Sequence, residues 1–594
     1  MRAVEIPLAP PPTCAADCRL LGYLVDGALT AIAGEDGCPP CADCLQEFGD
    51  AGDPGRPKAP RRAEGSRGEL VTCGWPEALD SLAFAIRDAA SGTGQVLWVG
   101  TAPRPRVLDA LVLRAGHLAP RWTIVRRQPP GETAARELAA VDGDRAPASP
   151  GELAAADVLV FWGCDVDAGP AAQRHALLDA RTRGARVVWV DPAPPTGSAL
   201  AGDLVLQLRP ATDVALVLGL ARLALESGRR DCPPELEARA GHWTPARVAE
   251  VTGVSAAALH EAGQLLAGAR RPVVTPGGGP CRHATGADAV RGVALFARWL
   301  GAPVGGPRPA PDPAAAVPLP VGPHAPAVLP SGRLAGALDS LDASRTILLI
   351  DAAGPPDLHG SAALEEFAAR AALVVRLSAR APGGGRAGLA LPLAGAWEQA
   401  DAVGLRQPAE VRASRACRAA PREALPAAEL WRGLARRLGW PETWFPSDAA
   451  DLLGFAAAAA RRAPGTPAPG PLDHAESGEG PVLAPELFRA HRLLLVPRAG
   501  RTRRGRAPAL ALSPEDAAAR SIGDGDAVVV HNTRGSIAAV ARVVAGRRPG
   551  IVDLPWDAGP GPDHLDRLLA VTTSGSGEGE TPGCCLVEVE PSRA

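Results

Sequence analysis

The sequence predicts an α/β protein whose αβ region is followed by a C-terminal β-barrel. Two apolar runs, Val158–Trp162 and Val187–Val190, are separated by roughly two dozen residues of helix-compatible sequence, and each ends in a small polar turn. Continuous apolar strands of this kind are typical of buried parallel sheets. Beyond residue 485 the pattern changes to short β-rich runs separated by turns. Such spacing is typical of a closed barrel.

Strand-like and helix-like patterns alternate through the αβ region. In chain order they predict a helix from Trp75, a strand at Gln95–Val99, a helix around Arg106–Ala115, a helical stretch from Thr244 to Ala267, a strand leading into the glycine turn at 277–279, and strands at Thr346–Asp351, Leu373–Leu377 and Leu389–Leu393. The short runs assigned to the barrel are Asp526–Val530, Ser536–Val544, Gly550–Leu554 and Cys585–Val589.

With 594 residues, the chain is too long to form one hydrophobic core. Changes of composition divide it into six segments. They are a cysteine-bearing module at 1–72, a first αβ region at 73–155, an αβ domain with a long proline-rich loop at 156–330, a second αβ domain at 331–461, a linker rich in Pro, Ala and Gly at 462–484, and the barrel at 485–594.

Composition excludes several classes of partner. The net charge is −3, so there is no basic surface that would bind nucleic acid. No apolar run reaches the roughly 18 residues of a membrane span, so we expect no membrane partner. The first residues lack a hydrophobic signal core, and a cytoplasmic location is therefore expected, with cysteines as reduced thiols or metal ligands. Lys58 is the only lysine, so a mechanism that needs a catalytic lysine must use it.

Small and polar residues follow the predicted strands of the αβ region. Gly163 and Cys164 follow the first apolar run, Asp191 follows the second, and the glycine turn includes Gly277 and Gly278. Ligands bind where parallel strands end at their carboxyl edge. Glycines allow a ligand to approach the backbone closely, although a glycine turn after a strand is commonly only a turn. The alternative is an ordinary αβ unit with no ligand.

The spacing of Asp191, the Ala201-Gly202-Asp203 step and the Arg209–Asp213 turn resembles the molybdopterin-dinucleotide oxidoreductase superfamily. In that superfamily the corresponding turns hold the guanosine and pterin ends of the cofactor. The resemblance implies formate dehydrogenase-like αβ domains and a molybdopterin guanine dinucleotide with molybdenum or tungsten. The cofactor-binding residues that it implies here are Gly163, Cys164, Asp191, Asp213, Gly277 and Gly278.

The C-terminal region resembles the pterin-dinucleotide-binding barrel of the same superfamily. The most specific piece is Pro549–Asp557, which with Arg501 and Thr502 is similar to the small D subunit of formylmethanofuran dehydrogenase. The resemblance implies a barrel of the double-psi type. It also implies cofactor contacts from Arg501, Thr502, Pro555 and Trp556.

The front of the chain resembles the B subunit of formylmethanofuran dehydrogenase, so the chain looks like a B subunit fused to a D subunit. The superfamily usually supplies Cys-x2-Cys-x3-Cys and a distant fourth cysteine to a [4Fe–4S] cluster, which needs thiolate ligands. Here Pro11 stands at the first of these positions. Cys14, Cys18, Cys41 and Cys44 are the candidate metal ligands. A [4Fe–4S] cluster, a tetrahedral zinc ion and a cysteine cluster without metal all remain open.

A second departure concerns catalysis. Active members place a Cys, selenocysteine, Ser or Asp on the molybdenum or tungsten, and in the B subunit this ligand is a cysteine that precedes the Ala156 region. No cysteine lies between Gly74 and Gly163 in this chain, and we assign no catalytic residue. We expect a redox-degenerate B-type subunit of a formylmethanofuran dehydrogenase or formyltransferase/hydrolase complex, with the other subunits as partners. The opposing hypotheses are an active molybdenum or tungsten oxidoreductase and an unrelated αβ cofactor-binding protein.

Three further residues are interpreted individually. His117 is expected to be a surface or loop histidine. Glu398 matches an acidic residue of the family but by itself is expected to be a solvated loop carboxylate. Of Cys584 and Cys585, one is expected to be buried in the barrel.

Overall fold

The computed structural model describes the chain apart from several short stretches and one long one. The described residues are 4–8, 19–34, 40, 44–45, 48–49, 56, 58–65, 68–100, 106–126, 130–143, 145, 147–164, 166, 171–193, 202–283, 285–306, 323–330, 333–351, 361–379, 387–406, 409–421, 423–446, 493–498, 507–555, 565, 568–569, 571–573, 580–582 and 584–592. The expected linker at 462–484 lies outside them.

Strands and helices alternate through much of the range 75–438, whereas the described residues from 493 onward lie mostly in strands. In chain order the strands are β1 Val4–Leu8, β2 Leu20–Val25, β3 Ala28–Gly34, β4 Arg61–Glu64, β5 Glu69–Thr72, β6 Gln95–Gly100, β7 Trp122–Arg126, β8 Val158–Trp162, β9 Arg186–Val190, β10 Leu204–Leu206, β11 Pro272–Pro276, β12 Ala327–Pro330, β13 Thr346–Asp351, β14 Leu373–Ser378, β15 Leu389–Pro392, β16 Asp401–Arg406, β17 Ala409–Ser414, β18 Leu493–Arg498, β19 Ala509–Leu512, β20 Ala527–His531, β21 Ser536–Val543, β22 Ile551–Pro555, β23 Val571–Thr573, β24 Glu580–Pro582 and β25 Cys585–Pro591.

The helices lie mostly between the parallel strands. In chain order they are α1 Trp75–Ser91, α2 Arg106–Leu118, α3 Pro130–Asp142, α4 Pro150–Ala155, α5 Ala171–Thr182, α6 Asp213–Glu226, α7 Pro234–Ala240, α8 Pro245–Thr252, α9 Ala256–Gly268, α10 Gly286–Trp299, α11 Leu334–Ser340, α12 Ser361–Arg370, α13 Ala427–Leu438 and α14 Pro514–Ala518. Within the described ranges, none of the helices has the length and apolar character needed to cross a membrane.

The chain divides into two compact units, and each unit is assembled from two separate stretches of sequence. Unit 1 contains Met1–Arg127 and Ala310–Pro464, and unit 2 contains Gln128–Pro309 and Gly465–Ala594. The six segment boundaries drawn from the sequence stay predictions. Strand pairing nevertheless joins the first and second αβ segments, because β6 lies directly beside β13 in one sheet.

Unit 1 is built on an eight-stranded sheet with the order β12-β7-β6-β13-β14-β15-β4-β5. The six neighbouring strands from β12 to β15 in this order are parallel, while β4 pairs antiparallel with both β15 and β5. Val96 and Trp98 of β6 pack with helices α1, α2 and α13. Leu97 and Val99, whose side chains point to the opposite face, pack with α11 and α12. Both faces are therefore buried, which explains the continuous apolar runs in the sequence.

Unit 2 contains a four-stranded sheet with the order β10-β9-β8-β11, in which all strands are parallel. Val158 and Val160 of β8 pack in a core with residues of α6, α9 and α10. Leu159 and Phe161 face the opposite side and pack with α5. The two apolar runs singled out in the sequence are confirmed as neighbouring strands, and their carboxyl ends meet at one edge of the sheet.

The helical stretch expected from Thr244 to Ala267 is two helices, α8 and α9. Gly253 ends α8 in the left-handed conformation with φ +71°, which glycine adopts without strain. Ser255 then caps α9 by accepting a hydrogen bond from the backbone N–H of Ala258. The predicted helical stretch is therefore confirmed, and Gly253 divides it into two helices.

The barrel of unit 2 is closed by six strands in the order β18-β22-β19-β21-β20-β25. Two pairs, β18 with β22 and β19 with β21, are parallel, while β25 closes the barrel by pairing antiparallel with β18. Along β21 the buried side chains of Ile537, Ala539 and Ala541 alternate with more exposed ones. The predicted C-terminal barrel is confirmed, and its assignment to the double-psi type stays a prediction.

Candidate functional site

The carboxyl ends of β8 and β11 are joined by a glycine turn in unit 2. The Gly277 N–H donates to the Trp162 carbonyl (2.8 Å), and the Gly279 N–H donates to the Gly163 carbonyl (3.0 Å). A Cβ on Gly277 would overlap the Gly163 carbonyl oxygen and lie 2.9 Å from the Cα of Cys164. Glycine is therefore required at position 277, because two backbone segments approach each other there. Gly278 lies half-buried in the same turn.

Cys164 follows Gly163 at this edge and is half-buried. Its Sγ donates to the carbonyl oxygen of Thr275 on β11 at 2.9 Å. This contact places the thiol beside the glycine turn, at the strand end where the sequence predicted it.

Asp191 follows β9 at the same edge of the sheet. Its Oδ1 accepts a hydrogen bond from the backbone N–H of Ala193 at 2.8 Å, which forms a tight turn closed by the side chain. The carboxylate also raises the pKa of Asp213 and of Cys584, so the three groups lie close enough to interact electrostatically. Asp191 is thus held at the strand end, and it faces residues of both the sheet and the barrel.

Asp213 reaches the site from a helix and not from a strand end. It is the first residue of α6, and the preceding strand, β10, ends at Leu206. The buried carboxylate accepts a hydrogen bond from Trp162 Nε1 at 2.7 Å. Burial raises the pKa of Asp213 to about 6, and the Asp191 charge raises it further, while the indole hydrogen bond acts in the opposite direction.

Two residues that sequence reasoning missed, Arg282 and His283, follow the glycine turn. Burial, assisted by the Arg282 charge, lowers the pKa of His283 to about 4, so the imidazole is neutral at neutral pH. Its Nε2 lies 3.7 Å from the Sγ of Cys584, which precedes β25 of the barrel. Burial raises the pKa of Cys584 to about 12. The pair is therefore a neutral thiol and a neutral imidazole.

Arg282 also connects this edge of the sheet to the barrel. Its Nη1 donates to the carbonyl oxygen of Pro497 on β18. The strand-end edge and the barrel of unit 2 therefore meet at residues 282–283. The signal that could have indicated these residues was the adjacent pair Arg282-His283, three residues beyond the glycine turn at 277–279.

Several predicted cofactor contacts cannot be placed. Arg501, Thr502 and Trp556 lie outside the described residues. Pro555 is described as the last residue of β22, where it pairs with Arg498 of β18. The cofactor contacts that the resemblance implies for these barrel residues therefore stay predictions.

The N-terminal cysteines are described only in part. Cys14, Cys18 and Cys41 lie outside the described residues, and Cys44 is buried in unit 1 with Leu8, Leu20 and Trp397. The described cysteines are free of disulfides. Among the described residues there is no group of three or more His, Cys, Asp or Glu side chains that could hold a metal ion. Iron–sulfur cluster, zinc and no metal therefore remain the alternatives.

Two single-residue expectations concern unit 1, and the one for Glu398 is wrong. Glu398 is buried and forms a two-pronged ion pair with Arg56, with N–O distances of 2.6 and 2.7 Å. It also accepts a hydrogen bond from the Gly395 N–H at 2.7 Å, so it is not a solvated loop carboxylate. His117 lies in the last turn of α2 and is half-buried, with Nδ1 3.0 Å from the His324 carbonyl oxygen. Cys585, by contrast, is buried in the barrel as expected.

The C-terminal part of the chain matches a known family. Residues 496–575 match the Molydopterin dinucleotide binding domain. The chain carries this domain and is homologous to molybdopterin oxidoreductases. The match extends from the end of β18 to just beyond β23 and so includes most of the barrel. The domain supports a molybdenum or tungsten pterin cofactor.

Individual relatives agree with this assignment. The chain is 33% identical over 147 residues to the menaquinone reductase, molybdopterin-binding-like subunit, of Nitratidesulfovibrio vulgaris, covering 24% of this chain and 20% of that protein. It is 25% identical over 160 residues to the F420-dependent formate dehydrogenase 2 subunit alpha of Methanococcus maripaludis, covering 25% and 23%. The alignments thus span about a fifth to a quarter of these relatives.

The whole fold is similar to that of a solved structure, acetylene hydratase from Pelobacter acetylenicus. The TM-score is 0.73 with 16% sequence identity, and the match covers 99% of this chain and 100% of that one. This likeness confirms the mixed αβ fold with a C-terminal barrel.

Proposed function

We propose that this chain binds a molybdopterin guanine dinucleotide at the strand-end edge of unit 2, where the sheet meets the barrel. The observation that carries the proposal is the convergence of the Gly163–Gly277 turn, the Asp191 turn and the barrel residue Cys584 within a chain that has the dinucleotide-binding domain. Dinucleotides bind at this edge of parallel sheets because strand ends and tight turns leave backbone groups accessible there.

The chemistry of the residues fits such a ligand. Asp191 follows the second strand of a strand–helix–strand unit, which is the position from which a carboxylate accepts hydrogen bonds from ribose hydroxyls. Arg282 brings positive charge to the same edge, as phosphate groups require. The neutral His283 and Cys584 add no net charge beside it. When bound, the cofactor would supply a molybdenum or tungsten centre held by pterin dithiolenes.

We further propose that the chain acts in one-carbon metabolism as a protein similar to the B subunit of formylmethanofuran dehydrogenase. In this role it is a redox-degenerate component of a formyl-transfer/hydrolase complex, whose chemistry takes place on a hydrolase partner. Two features of the sequence support the loss of redox chemistry. No cysteine lies between Gly74 and Gly163 to bind the metal as a thiolate, and Pro11 replaces the first cluster cysteine.

A second candidate function is an active molybdenum or tungsten oxidoreductase. It is favoured by the similarity to the F420-dependent formate dehydrogenase 2 subunit alpha of Methanococcus maripaludis and to formate dehydrogenase H of Escherichia coli, to which the chain is 24% identical over 153 residues. In this candidate a side chain other than cysteine binds the metal.

A viologen-linked assay of formate oxidation separates the two candidates. The chain is expressed with molybdate or tungstate beside a formate dehydrogenase from the same host, which serves as the positive control. The proposal predicts no formate oxidation above the background of the host, although bound pterin dinucleotide is recovered. Formate oxidation with stoichiometric metal and pterin would instead establish the oxidoreductase.

A further inference from the structure

The barrel of unit 2 makes a second contact with the sheet, through Arg548. This residue lies between β21 and β22, and its Nη1 donates to the backbone carbonyl of Gln207 at 2.8 Å. The guanidinium also lies against Gly253, where a Cβ would overlap Nη1 and Nη2. The glycine that separates α8 from α9 therefore makes room for the barrel arginine.

The side chain of Gln207 connects this contact to the Asp191 turn. The Nε2 of Gln207 donates to the carbonyl of Pro192 at 2.9 Å. Pro192 is the middle residue of the turn that the Asp191 carboxylate closes with the Ala193 N–H. Consecutive hydrogen bonds thus connect a barrel arginine to the turn that carries the strand-end carboxylate.

The guanidinium of Arg548 is a charged hydrogen-bond donor. It is partly buried, and both burial and the nearby Arg209 lower its pKa. A charged donor to a neutral carbonyl forms a stronger hydrogen bond than a neutral donor does. Arg209 does not duplicate the contact, because its Nη1 donates to the carbonyls of Glu250 and Val251.

We propose that Arg548 is a positioning residue for the nucleotide half of the cofactor. It acts through Gln207, which fixes the Asp191-Pro192-Ala193 turn so that the carboxylate meets the ribose hydroxyls. This inference rests on the proposed dinucleotide site. The chemical consequence is specificity: the chain binds a guanine ribonucleotide more tightly than the corresponding 2′-deoxyribonucleotide, and the preference depends on Arg548 and Gln207.

Calorimetric titration of the 594-residue chain, purified from a host that makes no molybdopterin, tests the inference. The probes are GMP and 2′-deoxy-GMP. The decisive variant is Gln207→Met, which keeps the backbone carbonyl that accepts from Arg548 but removes the donor to Pro192. Arg548→Ala removes the hydrogen bond from Arg548 to the Gln207 carbonyl, and Arg548→Lys retains a charged donor. Arg542→Ala, which removes an exposed arginine of β21, is the matched control.

We expect Gln207→Met and Arg548→Ala each to weaken GMP binding by roughly three- to tenfold, the effect of one hydrogen bond, and to leave 2′-deoxy-GMP binding nearly unchanged. Arg548→Lys should recover part of the preference, and Arg542→Ala should retain all of it. The melting temperature of Gln207→Met should match that of the wild type. A lost ribose preference without lost stability then shows that Gln207 positions the Asp191 turn and does not merely help the barrel to dock.

The variant Asp191→Asn distinguishes a failure of the Arg548 inference from a failure of the proposed dinucleotide site. If Asp191→Asn loses the ribose preference while Gln207→Met keeps it, Arg548 only docks the barrel and the inference is wrong, although the dinucleotide site stands. If the wild-type chain binds neither nucleotide, the proposed site fails and the inference fails with it.

Discussion

Neutralising Glu398 should destabilise unit 1, because it would remove the buried carboxylate that pairs in two-pronged fashion with the buried Arg56 guanidinium. The side chains of Arg56 and Glu398 are only 6% and 2% exposed. Both carboxylate oxygens accept from Arg56, which otherwise donates to the Ala379 carbonyl at 2.8 Å. Removing one partner of such a pair costs about 3–5 kcal/mol. We therefore expect this loss for Glu398→Gln.

Hydrogen exchange measured by mass spectrometry on peptides from β15 to Asp401 reports this change locally. A loss of about 3–5 kcal/mol corresponds to a fall in amide protection of roughly two to four orders of magnitude, if exchange follows opening of the ion pair. The matched control is Glu442→Gln, which removes an exposed carboxylate that also accepts from two arginines, Arg432 and Arg436. Its effect should be small, since solvent screens exposed ion pairs.

A double variant completes the test. Arg56→Met with Glu398→Leu replaces both buried charges by apolar groups, so the double variant should be more stable than Glu398→Gln alone. Two results would refute the reasoning. One is a Glu398→Gln variant no less stable than Glu442→Gln, and the other is a double variant as unstable as the single one.

Three further outcomes are expected. The free energy of unfolding of the wild type relative to that of Asp213→Asn should fall as the pH rises from about 4 to about 6, since the folded state holds the Asp213 proton more tightly than the unfolded state does. Urea denaturation across this pH range measures the difference between the two proteins. A difference that does not change with pH would contradict the prediction. Gly163→Ala should lower the melting temperature more than Gly184→Ala, because both glycines have positive φ but only Gly163 would also overlap a neighbouring proline ring. Iodoacetamide at pH 8 should label Cys584 more slowly than Cys73 in the native chain, since burial raises the Cys584 pKa to about 12; equal rates would contradict this shift.

The strands could be predicted from the sequence, but their order in the sheets could not. β8 begins and ends at the residues predicted, since a continuous apolar run bounded by a glycine is an unambiguous local pattern. The neighbours β6 and β13 are separated by some 250 residues, and no local pattern encodes that pairing. For this reason the sequence analysis separated the αβ segments at 73–155 and 331–461, whereas the structure joins their strands in one sheet.

The candidate site was predictable to a similar extent. Gly163, Asp191 and Gly277 were found because residues that follow buried parallel strands must lie at one edge of the sheet. Arg548 was missed because its contact with Gln207 joins residues 341 positions apart. Glu398 was misjudged for the same reason, since a carboxylate is buried only when its partner, here 342 positions away, is buried with it.

The pterin dinucleotide content of the purified chain tests the central claim most directly. The chain is expressed in a host that makes molybdopterin guanine dinucleotide, and acid-released GMP and the oxidised pterin are quantified per chain. The account predicts that both are recovered together and that Asp191→Asn recovers less of each, while Arg542→Ala equals the wild type. Recovery of neither compound, or equal recovery from Asp191→Asn, would contradict a dinucleotide site at the strand ends of unit 2.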